Sequence, residues 1–400
     1  MRMMNAERIF QNSFLSYGWL MPAALPLASA LGRGVFNSLF FIYLIWGIAG
    51  LGRSLFQNVK IPLLLFAVLL ASFLPGVIGG VDPASAAKPW FKFMAHSFVF
   101  FFTFAVLRQH SGNMDRLIKA YAIWLIPLLI YLYSSLIYFA TGDQFIPSIQ
   151  LKEDNLPYLL PFLMYWLTLH AKDRWKLVTA SIATLFLVVA YIAISQGRAA
   201  MLAFLVGAIL FLYLVYQSKM RVIAIGAVTI IAISVGAMGE RFYRDTNIHS
   251  SWIEMADSFT SFRTLLWRRA IENPPENPWI GVGMNNAGSY QTDPAVDAIP
   301  VRMNSLHNFI MDAWYQTGYV GSAVLVIFII IMLSSGISAW RTLPSDKRYL
   351  AGLLLTSAIT LLTAATLSFS YTHRFFSIQL FVFFAGLWHL REHALSLRKK

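Results

Sequence analysis

Three residues stand where chemistry could be done: Arg198, Arg263 and His307. Arg198 lies in VVAYIAISQGRAAMLAFLVG, with apolar runs on both sides and only Ser195, Gln196 and Gly197 beside it. A fixed cation at membrane depth costs about 2–3 kcal/mol or more, so it needs an anionic partner. A guanidinium presents a rigid fork of donors that fits diphosphate oxygens; the plainer alternative is a side chain snorkelling to a lipid headgroup. Arg263, one helical turn ahead of Trp267 in SFRTLLWRRAIENPPENPWIGVGMNNAG, would give a second fork, and two forks could hold one diphosphate and stabilise its charge as it leaves. Alone, Arg263 would be an ordinary surface ion pair.

His307 lies in RMNSLHNFIMDAWYQTGYVG, where Ser305 is expected to cap a helix that carries His307 and Asn308 in its first turn and ends near Gly318. There the positive end of the helix dipole disfavours imidazolium and leaves a ring able to accept a proton. A lone His is more often structural. What separates His307 from His249, in a Ser-rich loop, and His373, beside Arg374 in a short turn, is this placement with its polar neighbour Asn308. Lys88 and Lys92, around Trp90, could add charge for a pyrophosphate or could simply snorkel beside an aromatic belt. Arg302 is a further substrate-binding candidate by charge alone; it, Asp82, Glu254 and Asp312 have no spacing that singles them out.

The sequence contains no HExxH, Walker loop, GxSxG or acidic doublet of the kind that holds a nucleotide-sugar metal, and no cysteine. Neither metal nor nucleotide cofactor is expected. The run GVGMNNAG resembles a dinucleotide fingerprint superficially, but it follows Pro278 and Trp279 with no strand before it. A turn that lets backbone approach another helix is the better account.

The elements that must position these residues are membrane helices. Only 12% of the 400 residues are charged and 58% are apolar, far from a soluble globular composition. Runs of about 18 or more apolar residues recur, each long enough to cross a hydrocarbon core of about 30 Å. The formal charge of +13 is dispersed between these runs and forms no aromatic-interleaved patch, which argues against nucleic acid. No cleavable signal is evident, and the first apolar run is expected to remain as an anchor.

The predicted fold is all-α and polytopic, with twelve spans at roughly 14–31, 35–52, 61–80, 89–107, 117–140, 156–171, 175–195, 199–216, 221–238, 319–340, 349–371 and 374–391. Lys and Arg concentrate in alternate loops, which puts both termini in the cytoplasm and residues 239–318 outside. The expected organisation is membrane helices over 1–238, an external helical subdomain over 239–318, and membrane helices with a cytoplasmic tail over 319–400. Within the external segment Ser261 is expected to cap a helix that stops at Pro274-Pro275, with Phe259, Phe262, Leu266 and Ile271 as its apolar stripe.

Taken in order, SQGRAAML, SFRTLLWRRAIENPPENPWIGVGMNN and HNFIMDAWYQTGYVG on a polytopic chain resemble the O-antigen ligase and polymerase superfamily of lipid-linked polysaccharide enzymes. The residues carrying the resemblance are Arg198; Arg263 with Trp267 and Pro278 to Gly283; and His307 and Asn308 with Gln316 and Gly318. It covers about residues 190–330. The resemblance implies a GT-C-like, metal-independent glycosyltransferase of the Gram-negative inner membrane, working at the periplasmic face on a glycan carried by undecaprenyl diphosphate.

Span number, length and one dominant external segment look most like the ligase, which attaches O-antigen to lipid A-core; a polymerase or a protein oligosaccharyltransferase is the alternative within the family. A flippase or other transporter would share the span count, but transporters bind near the midplane with ionisable residues inside spans, whereas here these gather at one face.

Overall fold

The computed structural model describes residues 2–52, 55, 59–110, 112–141, 157–170, 198–215, 263–286 and 305–398. Among the described residues there are twelve helices and no strand: α1 (Arg2–Tyr17), α2 (Leu20–Leu31), α3 (Arg33–Leu51), α4 (Lys60–Gly79), α5 (Pro83–Gln109), α6 (Asn113–Thr141), α7 (Leu160–His170), α8 (Arg198–Val215), α9 (Arg263–Glu272), α10 (Phe309–Thr342), α11 (Ser345–Ser368) and α12 (Arg374–Arg398). Backbone groups in hydrocarbon must be satisfied within their own segment, which is why an apolar chain of this kind is helical.

Five of these helices are long and apolar enough to cross a membrane: α3, α4, α5, α10 and the Lys347–Ser368 part of α11. The expected count of twelve spans is therefore not reproduced among the described residues, and the spans expected at 175–195 and 221–238 lie outside them. The span expected at 14–31 is two helices instead. Pro22 has no N–H to bond to the carbonyl four residues earlier, and Gly18 lies so close to Val106 of α5 that a Cβ would sit 2.8 Å from it, so the chain breaks at residues 18–19.

α12 is the central helix, buried from Phe375 to Trp388 and packed on α5, α10 and α11. A helix that is apolar all round must be surrounded in this way. Phe66 of α4 ties the bundle together, with ring centroids 5.1 Å from Phe100 and 5.3 Å from Phe101 of α5, 4.8 Å from Phe328 of α10 and 5.2 Å from Phe381 of α12.

α8 and α11 run antiparallel, with Gly207 against the side chain of Thr360 and Gly352 against the backbone of Leu214. Both contacts exist because glycine has no Cβ to hold the helices apart. Continued along the two helices, this register sets Arg198, the first residue of α8, beside the Ser368 end of α11.

α10 has 34 residues, about 50 Å at 1.5 Å per residue, more than a membrane core requires. It is broken at Gly318, whose φ of 67° and ψ of −171° are not helical. The stretch from Tyr319 to Thr342 is long enough to span by itself, leaving Phe309–Thr317 as a projecting segment.

Candidate functional site

The break at Gly318 makes the framework of the site. In an unbroken helix the carbonyls of Tyr315 and Gln316 would accept from the amides of Tyr319 and Val320. Instead the turn after α9 inserts: Val282 N donates to Tyr315 O and Gly283 N to Gln316 O, both at 2.9 Å, while Tyr319 N donates to Pro278 O at 2.9 Å and Val320 N to Trp279 O at 3.5 Å. The backbone groups freed by the kink are thus satisfied by the loop that causes it. So close an approach tolerates no side chain: a Cβ on Gly318 would overlap Trp279 backbone, one on Gly281 would lie 2.6 Å from Gly318 N, and one on Gly76 of α4 would lie 2.5 Å from Ile280 O. Gly281 and Gly283 of GVGMNNAG therefore serve backbone approach, in keeping with the absence of a strand before them. The same turn reaches the connection between α4 and α5, with Val81 N donating to Val282 O and Asn286 Nδ2 to Asp82 O.

α9 stops at Glu272, two residues before Pro274, because the residue preceding a proline is pushed out of the helical region. Leu266 and Ala270 are its buried face and pack with Val282, Leu306 and Tyr315. Ile271, expected on the apolar stripe, is 62% exposed; one residue past Ala270, it is turned about 100° away from that buried residue. Ser261, Phe259 and Phe262 lie outside the described residues. Trp267 Nε1 donates to Leu306 O at 2.8 Å, so α9, with Arg263 one turn before Trp267, is fastened to the segment that carries His307.

That segment differs from the expected helix start. The cap of α10 is Asn308, whose Oδ1 accepts from Ile310 N at 3.0 Å and Met311 N at 3.1 Å. Ser305 is not the cap, and His307 precedes the helix instead of riding in its first turn. Both Ser and Asn are capping types, and the choice falls to Asn308 because Ser305 is taken by another partner. Ser305 Oγ donates to Asp312 Oδ2 at 2.7 Å and accepts from His307 N at 3.0 Å, and Leu306 N donates to Asp312 Oδ1 at 2.7 Å. Three consecutive residues are bracketed against one buried carboxylate. The bracket holds His307 at φ 53°, a left-handed conformation uncommon for a residue with a side chain.

Asp312 has no spacing that singles it out, yet it organises the segment. It is fully buried, ahead of the Gly318 break and thus outside the span, and Gln316 Nε2 donates to it as well, at 3.4 Å. Burial pushes its carboxyl up to about 6, against hydrogen bonds from Leu306, Ser305, Ser370 and Gln316 that favour the charge. Gln316 Oε1 in turn accepts from Asn285 N at 3.0 Å and from Tyr371 Oη at 3.3 Å, joining the α9–α10 turn and the α11–α12 turn to the same network.

His307 Nδ1 lies 3.5 Å from Ser368 O, a long contact in which a carbonyl can only accept. A proton on Nδ1 puts the ring's basic lone pair on Nε2. Since Arg198 starts α8 at the Ser368 end of α11, positions 198, 263 and 307 share one end of the bundle. The Arg198 side chain, Ser195, Gln196, Gly197 and Arg302 lie outside what the structure describes. Lys88 and Lys92 are exposed on α5 and gather with Arg33 and Arg374.

One comparison with known proteins agrees with the family that the motifs resemble. Residues 183–326, about a third of the chain, match the family model described as O-antigen ligase, and the matched region contains positions 198, 263 and 307. A comparison with curated proteins finds no match.

Proposed function

We propose, taking residues 183–326 as an O-antigen ligase domain, that this protein transfers a glycan from undecaprenyl diphosphate to a sugar hydroxyl of lipid A-core at the periplasmic face. The observation that carries this reading is the bracket around His307, which holds the backbone of that residue at the end of the bundle where positions 198 and 263 also lie. His307 Nε2 takes the proton from the acceptor hydroxyl as that oxygen attacks the anomeric carbon. The bond from that carbon to the diphosphate breaks, and the diphosphate leaves with the electron pair, its growing charge met by Arg198 and Arg263. A single direct displacement inverts the anomeric centre. Asn308 sets the helix start immediately after His307, and Lys88, Lys92 and Arg302 add positive charge for the substrates. The leaving group is already activated, so the reaction proceeds without a metal ion.

The test offers purified protein one lipid-linked glycan with lipid A-core, a second lipid-linked glycan and a peptide in parallel, with excess chelator throughout. Glycan on lipid A-core alone is expected. Extension on the second lipid-linked glycan would make the protein a polymerase, and activity restored only by added Mg²⁺ or Mn²⁺ would end the metal-free account.

A further inference from the structure

A second charged feature is built into the same end of the bundle. Arg33 is the first residue of α3, Lys88 and Lys92 lie one turn apart on α5, and Arg374 is the first residue of α12. The α11–α12 turn joins this end to His307: Ser368 O faces the His307 ring, and the next residue, Phe369, has its ring centroid 5.0 Å from that of His373, which precedes Arg374.

A closed ring of contacts underlies these four cations. The Arg374 guanidinium carbon lies 5.0 Å from the Phe36 ring centroid; Phe36 stacks on Phe40 at 6.4 Å; Phe40 meets the His96 ring edge-on at 5.3 Å; and His96 Nδ1 lies 2.7 Å from Ser377 Oγ, back on α12. Phe36, His96 and Ser377 are buried. One turn outward from these three residues are Arg33, Lys92 and Arg374, and a second turn along α5 is Lys88. The ring thus pins three helix ends so that their charges converge: Lys88, Arg33 and Arg374 all lie near enough to repel a charge on Lys92, and Arg33 near enough to repel Arg374. Asp82, the acidic residue at the start of α5, spends its Oδ1 on capping that helix through Ser85 N.

Gathered like charges raise the local concentration of anions. Arginine forks suit phosphate oxygens, while lysines act as point charges. The start of α3 adds backbone donors, because Gly32 supplies no side-chain cap. Apolar surface flanks the cations: Leu31 is 57%, Val35 46% and Phe91 57% exposed, which suits an acyl or prenyl chain better than water. The helices bearing Arg33, Lys88 and Lys92 are of span length, so their outer ends lie at headgroup depth.

We infer that the junction of α3, α5 and α12 binds the phosphate of an anionic lipid, with Arg33 and Arg374 gripping the oxygens and Lys88 and Lys92 supplying field. A polyprenyl diphosphate and an anionic phospholipid both carry this chemistry. This site shares Lys88 and Lys92 with the proposed transfer reading but turns on Arg33 and Arg374, so lipid affinity in the arginine pair tests this site while turnover tests the transfer reading.

The experiment titrates the full chain in detergent with farnesyl diphosphate, phosphatidylglycerol or inorganic phosphate, reading bound ligand by native mass spectrometry. In Arg33→Gln/Arg374→Gln, affinity for at least one lipid should fall about tenfold or more, since each lost charge-assisted bond is worth about one decade. Arg33→Lys/Arg374→Lys should recover part of it, and Arg341→Gln, at the opposite end of α10, should change nothing. A fall for farnesyl diphosphate alone supports the site as a diphosphate-lipid site; an equal fall for phosphatidylglycerol supports it as a general headgroup clamp. Should the arginine pair fail to fold, the exposed pair Lys88→Gln/Lys92→Gln carries the same expectation at about threefold. Lipid affinities within about twofold of wild type in a folded Gln pair, or inorganic phosphate binding as tightly as either lipid, would overturn the inference.

Discussion

The His307 segment and the α3–α5–α12 junction lie at one end of the same bundle and are built in opposite ways. Around His307 the polar atoms are buried or half-buried and individually committed: Asp312 accepts from Ser305, Leu306 and Gln316, Ser305 accepts from His307 N, and Leu306 O accepts from Trp267. At the junction only the layer beneath is fixed, by rings and one buried hydrogen bond, while Arg33, Lys88 and Lys92 stand exposed. The difference follows from the tasks. Proton transfer needs one atom held within hydrogen-bond reach of another, whereas attraction of a phosphate needs charge at roughly the right place. The first region should therefore be sensitive to geometry with charge unchanged, and the second to charge with geometry unchanged.

The largest effect is expected from Gly318→Ala. Its backbone is left-handed and its Cβ would meet Trp279 backbone, which cannot step aside, so the loss should reach about 3 kcal/mol or more. It would read as a much lower melting temperature or as loss of folded protein. A melting temperature near wild type would mean that the turn is not locked into α10.

Asp312→Asn preserves shape but presents an amide to Ser305 or Leu306, leaving one donor unmatched at about 1–3 kcal/mol. Turnover should fall by about one to two decades while donor binding holds. The substitution also carries a pH signature. A carboxyl raised from 3.8 to about 6 by burial contributes stability that is fully present below its ordinary value and is lost as pH rises through about 6. Asp312→Asn should flatten the dependence of melting temperature on pH across that window, and an unchanged slope would remove Asp312 as its source. The smallest effect is expected from Trp267→Phe, which keeps a ring and loses the bond to Leu306 O. It should cost about 0.5–1.5 kcal/mol and lower turnover a few-fold, and a fully wild-type rate would show that α9 does not need this bond to hold the His307 segment.

Much of this was legible in the residues. The all-helical class follows from composition, and the GVG turn was readable as close backbone approach because no strand precedes it. The order Arg198, Arg263, His307 was enough to point to the family whose model matches. What could not be read was tertiary. Ser305 and Asn308 are equally good caps by type, and only the buried carboxylate that claims Ser305 decides between them. Asp312 has partners six and seven residues back in a non-helical segment, a spacing with no periodic signature. Arg33 and Arg374 come near enough to repel each other although nearly the whole chain separates them, and the His96–Ser377 contact beneath them is one that no local pattern encodes. The break between α1 and α2 was hidden because Pro22 sits inside a mostly apolar run of span length.

If the Asp312 bracket holds His307 as the base for the acceptor hydroxyl, then that task is separate from the grip on the diphosphate. The deciding measurement is turnover and lipid-diphosphate binding, taken together, in His307→Ala. Turnover should be lower by about 10²–10⁴-fold with binding of the lipid diphosphate essentially unchanged. A rate near wild type, or binding that falls in step with the rate, would contradict this division of labour.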